Sequence, residues 1–242
     1  MNTKKINSLN TKMVAHRGLS GIERENTCPA FLAAANRSYY GIETDVHVTK
    51  DGKFVIIHDE TTTRVSLENV KINVEESTWD EICDVVLPDK DGSFVRRDIR
   101  IPLLSEYIHI CKKYDKVPVL ELKNTFARED MKRMIDEINS LGYLENVTFI
   151  SFSWENCVNL REFLPDATIQ WLTGEAINDD VIANLKKYNF ALDIHYSHLT
   201  EENIKLLHDN GILVNCWTCD SPEIGERLAS WGVDFITSNI LE

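Results

Sequence analysis

Stretches rich in apolar and β-branched residues alternate with amphipathic segments along nearly the whole chain, and this alternation constrains the fold more than any other feature. Eight stretches have the length and composition of buried strands: residues 12–15, 41–48, 117–122, 147–152, 168–172, 190–194, 212–217 and 233–237. Seven segments between them have helical periodicity: residues 28–39, 104–114, 128–141, 154–163, 179–188, 201–210 and 222–230. Strands that alternate with helices form parallel sheets, so the sequence predicts an α/β fold.

The number of strands favours a closed sheet. Eight strands separated by seven helices describe a (β/α)8 TIM barrel, whereas an open sheet has no reason to stop at eight. We therefore expect one barrel domain over residues 1–242. Only a few residues follow the eighth strand, so we expect the usual closing helix to be missing or minimal.

One stretch breaks the alternation just after the second strand. Residues 54–59 form a short extra strand-like run, and residues 60–101 are polar and irregular. About forty residues are too many for a plain connection inside a compact domain. We therefore predict an inserted lobe at about residues 60–101, over one rim of the barrel, that caps the site or fixes substrate choice.

The charge balance limits the partners. The chain has 39 acidic and 26 basic residues, a formal net charge of -13 and a pI of about 5.0. Such a surface repels polyphosphates, so we expect no nucleic-acid partner. No window approaches the roughly 20 apolar residues that cross a bilayer, and residues 1–12 do not form a secretory signal. We expect no stable membrane insertion and a cytoplasmic location.

Charged residues lie where the predicted strands end, which is where active sites of such barrels are built. Side chains two residues apart on a strand share a face, so Glu43 projects with Asp45, and Glu121 with Lys123. Three carboxylates on adjacent interior strands are costly unless they meet a cation. Oxygen ligands of this kind predict a divalent metal site for Mg²⁺ or Ca²⁺.

Two histidines and a tryptophan complete the predicted site. His16 ends the first strand and His58 ends the extra run, and an imidazole that titrates near neutrality can accept or donate a proton. Trp217 ends the seventh strand and is a candidate to line a substrate pocket. We expect Phe152 and Trp171 to pack in the core.

The ordered set of motifs resembles the glycerophosphodiester phosphodiesterase family over nearly the whole chain. Its elements are His16-Arg17-Gly18, Glu25-Asn26-Thr27, Glu43-x-Asp45-x-His47, His58-Asp59, Glu121-x-Lys123, Trp217-Thr218 and the run from Gly232 to Thr237. Each element alone is a weak signal, but their order along the chain is highly specific.

That resemblance implies a TIM barrel with a small insertion after the second strand, and hydrolysis of glycerophosphodiesters to sn-glycerol 3-phosphate and an alcohol. It further implies that Glu43, Asp45 and Glu121 hold the metal. His16 and His58 would be the acid/base pair, and Arg17 and Lys123 would bind phosphate. The family's mechanism admits attack by a glycerol hydroxyl or by water, and both routes stay open here.

Two positions depart from the family pattern. Arg24 stands where the family has proline, which we expect to add a cation near the site. Ser238 follows Thr237 where many members have aspartate, so that carboxylate has no counterpart at this position.

Three alternative functions are compatible with a barrel of this kind. A lysophospholipase D would need an exposed apolar lip, which the polar lobe does not suggest. A non-catalytic phosphodiester-binding barrel would not need both histidines and all three acids. A metal-dependent sugar isomerase or aldolase would not need Arg17 beside His16. Glycerophosphodiester hydrolysis is therefore the favoured interpretation.

Overall fold

The barrel predicted from the alternation is confirmed by the computed structural model, which describes residues 2–92 and 96–242. Parallel pairing of the first strand with both the second and the last closes the sheet, and the remaining barrel strands pair in chain order. The third strand lies outside the barrel, antiparallel to the second. In chain order the strands are β1 (Lys12–Ala15), β2 (Gly41–Val48), β3 (Phe54–Ile56), β4 (Val117–Leu122), β5 (Thr148–Ser151), β6 (Thr168–Thr173), β7 (Ala191–His195), β8 (Val214–Trp217) and β9 (Phe235–Ser238).

All seven predicted helices form, and a single-turn helix lies in the inserted lobe. The helices of the described residues are α1 (Cys28–Ala35), α2 (Trp79–Ile82), α3 (Leu104–Lys113), α4 (Arg128–Ser140), α5 (Trp154–Phe163), α6 (Asp179–Tyr188), α7 (Glu201–Asp209) and α8 (Pro222–Ser230). Thr27 caps α1 by accepting a hydrogen bond from the Ala30 N–H. Helix α1 ends at Ala35, before the end predicted at residue 39, because the side-chain amide of Asn36 donates to the Leu32 carbonyl and caps the helix there.

The two ends of the chain pair with each other. Beyond β9 the described residues form no helix, as expected. Instead Lys4 donates its N–H to the Ile240 carbonyl, and Glu242 donates its N–H to the Lys4 carbonyl. The longest of the described helices, α4, has 13 residues, and none of them is long and apolar enough to cross a bilayer.

Side chains alternate between two packing regions. Leu120 and Leu122 belong to the main core cluster, together with residues of the surrounding helices. The alternate positions fill the barrel with a small apolar cluster of Val14, Val119, Ile150, Leu172 and Phe235. Two residues further along their strands, the same inward face carries His16 and Glu121. The apolar cluster is therefore the floor on which the polar mouth of the barrel rests.

The inserted lobe has its own core. The sequence predicted a polar and irregular segment, but seven of its apolar residues cluster with Val55 and Ile57 of the preceding run: Val65, Val74, Ile82, Val85, Leu87, Ile99 and Ile101. They are separated by loops and a single helical turn, so no helical or strand period revealed them. Residues 93–95 of the predicted lobe and residue 1 of the predicted domain lie outside the described residues.

A buried tyrosine ties α3 to the strand that carries the acidic residues. The Tyr107 hydroxyl donates to the Ile42 carbonyl at 2.6 Å and is fully buried. We expect Tyr107→Phe to lower the free energy of unfolding by about 1 kcal/mol or more, because a buried acceptor loses its donor. Urea denaturation followed by circular dichroism measures the change.

Tyr143→Phe is the matched control. Its hydroxyl donates to the Lys116 carbonyl over a longer 3.2 Å in a partly exposed place, so a smaller loss is expected. Equal losses in the two variants would contradict the assigned role of Tyr107.

Candidate active site

Three carboxylates meet at the mouth of the barrel. Glu43 and Asp45 project from β2 and Glu121 from β4, where Asp45 and Glu121 are paired across the two strands. One oxygen atom from each residue lies within 4.8 Å of the others. The residues are only 3%, 1% and 7% exposed, respectively. Holding three like charges out of water is costly, so the cluster needs positive charge close by.

Asp45 takes most of the positive charge that the chain itself supplies. Its oxygens lie 3.5 Å from Arg17 Nε and 3.4 Å from Lys123 Nζ, and the Asn26 amide donates to it at 2.7 Å. Burial acts to raise the pKa of Asp45, but Lys123 and Arg17 hold that pKa below its usual value. Asp45 is therefore ionised at neutral pH.

Glu43 and Glu121 are less well compensated. Within residues 2–92 and 96–242, Glu43 forms no ion pair with lysine or arginine; it accepts the Arg17 backbone N–H at 2.7 Å. Burial, followed by the charges of Asp45 and Glu121, raises the pKa of Glu43 well above its usual value. Burial and Asp45 raise the pKa of Glu121 to about 7, although Lys123 lies 2.8 Å away. This shortage of positive charge among buried oxygen ligands fits a divalent metal ion.

A tight turn after β1 places Arg17. Arg17 and Gly18 both have positive φ angles, 53° and 72°. At Gly18 a Cβ atom would lie 2.7 Å from the backbone carbonyl carbon of Ala30, so a larger residue does not fit. The turn lets Arg17 donate its N–H to Glu43 while its guanidinium reaches Asp45 and, at 2.9 Å, Glu25.

His16 is held through one ring nitrogen. Asn239 donates its amide to the Asp220 carboxylate at 2.6 Å, so its oxygen faces His16 Nδ1, 2.8 Å away. An amide oxygen only accepts, which puts the proton on Nδ1 and leaves Nε2, 3.9 Å from Glu43, free to accept a proton. Burial and the adjacent Arg17 charge lower the pKa of His16 to about 4, so the ring is neutral at pH 7.

His58 is held in the same way but by a carboxylate. Its Nδ1 lies 2.6 Å from Asp59 Oδ1, so this nitrogen is the donor and Nε2 is again left free. Burial lowers the pKa of His58, and the charge of Asp45 opposes that shift. The two histidines thus share an arrangement in which Nδ1 is anchored and Nε2 is available.

Arg64 of the lobe joins both halves of this network. Its guanidinium donates to both Glu25 oxygens at 2.8 Å and to both Asp59 oxygens at 2.7 and 3.0 Å. Glu25 in turn holds Arg17, and Asp59 holds His58. The hydrogen bonds from Arg64, together with Arg17, lower the pKa of Glu25 to about 2 despite its burial. One arginine therefore fixes the partners of two predicted site residues.

The predicted site residues come together at one cavity. Its lining includes seven of the eight: His16, Arg17, Glu43, His58, Glu121, Lys123 and Trp217. Asp45, the eighth, contacts Arg17 and Lys123 from within the barrel wall. Their individual roles stay predictions.

Two expectations need correction. Phe152, expected in the core, is 46% exposed and lines the cavity beside Trp217, with ring centroids 5.6 Å apart. It follows β5 on the inward face, where the barrel opens, so nearly half of its surface stays exposed. Arg24 does not add a cation to the site; it donates to the carbonyls of Pro88 and Asp89 and ties the lobe to the barrel.

Sequence reasoning missed several polar residues. Arg64 and Asp220 act on the site only through other residues, and both lie in loops. Asp220 supplies a carboxylate next to Ser238, whose hydroxyl donates to it at 2.9 Å, so a carboxylate from another loop lies beside the position where the family pattern has aspartate. Asp193 on β7 also lines the cavity; its position on an inward strand face was the signal that could have found it.

A (β/α)8 barrel with buried acids between two anchored histidines is the arrangement of a hydrolase that combines acid–base chemistry with a metal ion. The chain belongs to the glycerophosphoryl diester phosphodiesterase family, whose model matches residues 16–241. It is thus a phosphoric diester hydrolase, and the family resemblance read from the sequence is confirmed.

Individual relatives agree with this assignment. A glycerophosphodiester phosphodiesterase of Caldanaerobacter subterraneus subsp. tengcongensis is 29% identical over 233 residues, which cover 96% of this chain and 95% of the relative. A glycerophosphodiester phosphodiesterase structure from Parabacteroides distasonis is 26% identical with a TM-score of 0.79, covering 95% of this chain and 93% of that one. An Oleispira antarctica phosphodiesterase, solved with its product sn-glycerol-3-phosphate, has the same fold, with 22% identity, a TM-score of 0.81, and coverage of 98% and 96%.

The Arg64 contacts lead to a prediction about activity. Arg64→Gln removes the hydrogen bonds that fix Glu25 and Asp59, so Arg17 and His58 lose their orientation. We expect kcat for a glycerophosphodiester to fall by about 10- to 100-fold, the range found when a supporting contact to a functional group is lost. Steady-state kinetics measures this.

Arg133→Gln is the control, because Arg133 is equally exposed and pairs with Asp130 away from the cavity. Its kcat is expected to stay within about twofold of the parent, as is usual for surface ion pairs. An Arg64→Gln enzyme with parental kcat would refute the positioning role.

Proposed function

We propose that the chain hydrolyses glycerophosphodiesters to sn-glycerol 3-phosphate and an alcohol, with the reaction carried out at the mouth of the barrel. The observation that carries this proposal is the meeting of three buried carboxylates, two of them short of positive charge, with two histidines whose Nε2 atoms are free. We further propose that residues 1–242 act as one domain, in which the lobe helps to build the site.

Glu43, Asp45 and Glu121 are the proposed ligands of a divalent cation, either Mg²⁺ or Ca²⁺. Carboxylate oxygens are the ligands that both ions prefer. When bound, such an ion supplies Lewis-acid stabilisation of charge on the phosphodiester. Among the described residues no lysine or arginine forms an ion pair with Glu43, and this observation favours a metal over a purely structural ion-pair cluster.

Arg17 and Lys123 are the proposed phosphate-binding residues. Both are held by carboxylates on one side, Arg17 by Glu25 and Lys123 by Glu121, and both line the cavity on the other. A guanidinium and an ammonium fixed in this way bind a phosphodiester without first having to be ordered. They also explain how an acidic protein accepts an anionic substrate.

His16 and His58 are the proposed acid and base. Hydrolysis requires one group to take a proton from the attacking oxygen and another to protonate the departing alcohol. Each histidine offers an Nε2 atom whose orientation is set by the partner at Nδ1. The Oleispira antarctica enzyme was solved with sn-glycerol-3-phosphate, which supports the same product here.

We expect a small-molecule substrate and no nucleic-acid partner, because the net charge of -13 repels polyphosphates. This exclusion stays a prediction, as does the cytoplasmic location.

The central experiment measures release of glycerol 3-phosphate from several glycerophosphodiesters before and after treatment with EDTA. We expect chelation to lower the rate at least about 100-fold, and addition of Mg²⁺ or Ca²⁺ to restore it, because a Lewis acid contributes several kcal/mol to such reactions. Release that is indifferent to EDTA would overturn the metal assignment. Release of an alcohol from lysophospholipids only would favour the lysophospholipase D alternative.

Glu43→Gln tests the same assignment at one residue. Its side chain can still accept the Arg17 N–H but carries no charge for the metal. We expect the Glu43→Gln variant to have a low activity that added metal does not restore. We also expect the metal to raise the melting temperature of the parent but not that of the variant. Glu137→Gln, a half-buried carboxyl on α4, is the control and should keep both.

Substitution of the histidines tests the acid–base proposal. We expect His16→Ala and His58→Ala each to lower kcat by about 10²- to 10⁴-fold, the usual contribution of a positioned acid or base. His109→Ala, on the exposed face of α3, should have parental kinetics. If either site variant were as fast as the parent, that histidine would have no place in the mechanism.

A further inference from the structure

Unsatisfied polar atoms in the cavity point to the part of the substrate that the metal and the phosphate ligands leave unexplained. Five buried side-chain atoms of the described residues have no hydrogen-bond partner, and three belong to residues that line this cavity: Arg17 Nε, Asp193 Oδ1 and Trp217 Nε1. Arg17 Nε still faces Asp45 at 3.5 Å. Asp193 and Trp217 have no such compensation at these atoms.

The two residues are neighbours on adjacent strands. Asp193 on β7 is in register with Asn215 on β8, and Trp217 lies two residues further along β8 on the same inward face. Asp193 is 1% exposed. The Asp193 carboxyl oxygen and the Trp217 indole N–H therefore face the same cavity, with Trp217 two residues nearer to its mouth.

Within the described residues, neither Asp193 Oδ1 nor Trp217 Nε1 has a hydrogen-bond partner. Deeper in the barrel the polar side chains are paired, because the Asn215 amide donates to Gln170 at 3.0 Å and accepts from the Thr237 hydroxyl at 3.2 Å. The cavity residues beside the pair are apolar, among them Ile150, Phe152 and Leu172. A buried carboxyl oxygen and an indole N–H without partners cost free energy, which is recovered if a ligand supplies the missing hydrogen bonds.

The chemistry of the wall identifies the ligand. A compact group with hydroxyls on a short carbon chain matches one acceptor, one donor and an apolar surround, whereas a charged group would lie against apolar side chains, where an unpaired charge is costly. Burial and the charge of Glu121 raise the pKa of Asp193 well above its usual value, so its carboxyl can also donate to a hydroxyl oxygen. A second metal ion is disfavoured, because the metal-binding cluster of the described residues includes Glu43, Asp45 and Glu121 but not Asp193.

We propose that Asp193 and Trp217 bind the hydroxyl groups of the glycerol moiety and make the site selective for polyol phosphates over simple alkyl phosphates. The inference rests on the proposed function, since it places the glycerol end of that substrate. It assigns Asp193 a role in substrate recognition, and it gives the Trp217 N–H a specific partner.

The test compares two ligands that differ only in their hydroxyls. Isothermal calorimetry measures binding of sn-glycerol 3-phosphate and of n-propyl phosphate to the full chain in the presence of Mg²⁺ or Ca²⁺. We expect the parent to bind glycerol 3-phosphate at least about tenfold more tightly, because the alkyl analogue leaves buried polar atoms unpaired. Asp193→Leu should reduce this ratio to about twofold or less, because the wall is then apolar.

Milder variants keep the test decisive if Asp193→Leu does not fold. Trp217→Phe removes the indole N–H but keeps an aromatic ring, and should lower the ratio about threefold or more. Asp193→Asn keeps a donor and an acceptor, and should retain most of the selectivity. Tyr39→Phe is the matched control, because it removes an unpartnered buried atom that does not line the cavity.

A parent that binds both ligands equally would overturn the inference, as would a parental ratio in both Asp193→Leu and Trp217→Phe. Hydrolysis of glycerophosphodiesters without ligand selectivity would overturn this inference alone. Selectivity without hydrolysis would support it, overturn the proposed function and favour a polyol-phosphate binding protein.

Discussion

The burial of three carboxylates at one point of a parallel barrel is the constraint on which the rest of the structure depends. Glu43 and Glu121 have raised pKa values because burial and mutual repulsion oppose their ionisation, while Asp45 is kept ionised by two fixed cations. The turn at Arg17, with its positive φ, serves this cluster by giving Glu43 a backbone N–H and Asp45 a guanidinium. The acidic cluster is thus partly stabilised by the chain, and the remaining deficit is what makes it suitable for a metal ion.

The inserted lobe is a structural part of this site. Three cations join it to the segment that follows β1: Arg24 of that segment donates to lobe carbonyls, while Lys90 of the lobe donates to the Ser20 carbonyl and Arg96 of the lobe pairs with Glu23. Arg64 then extends the contact to the partners of Arg17 and His58. Because the lobe has its own apolar core, it can hold these side chains firmly. The insertion therefore completes the hydrogen-bond network around Arg17 and His58.

The two-residue period of side chains along a strand explains which site residues could be predicted from the sequence. The two-residue period places Glu43 with Asp45 and Glu121 with Lys123, and barrel topology brings their strands together, so the cluster follows from the sequence. Arg64 and Asp220 could not be found in this way, because each acts through a loop contact that no period encodes. Asp193 also lies on an inward face, but it has no second charged residue two positions away on its strand. The sequence therefore did not single it out as Glu43 with Asp45 or Glu121 with Lys123 were. Phe152 was wrongly predicted to lie in the core, because the periodicity of a strand does not show at which residue the barrel opens to solvent.

The two sides of the cavity come from different parts of the chain. Its charged side comes from β1, β2 and β4 and their loops, and its neutral side from β5 onwards, with Phe152, Leu172, Asp193 and Trp217. In a glycerophosphodiester, the phosphate group is anionic and the glycerol group bonded to it is uncharged. An asymmetric site of this kind orients the substrate through desolvation, because the phosphate is stable only beside the cations and the carbon chain only against the apolar wall. The barrel closes β9 onto β1, so the two sides face each other across one cavity even though they are far apart in sequence.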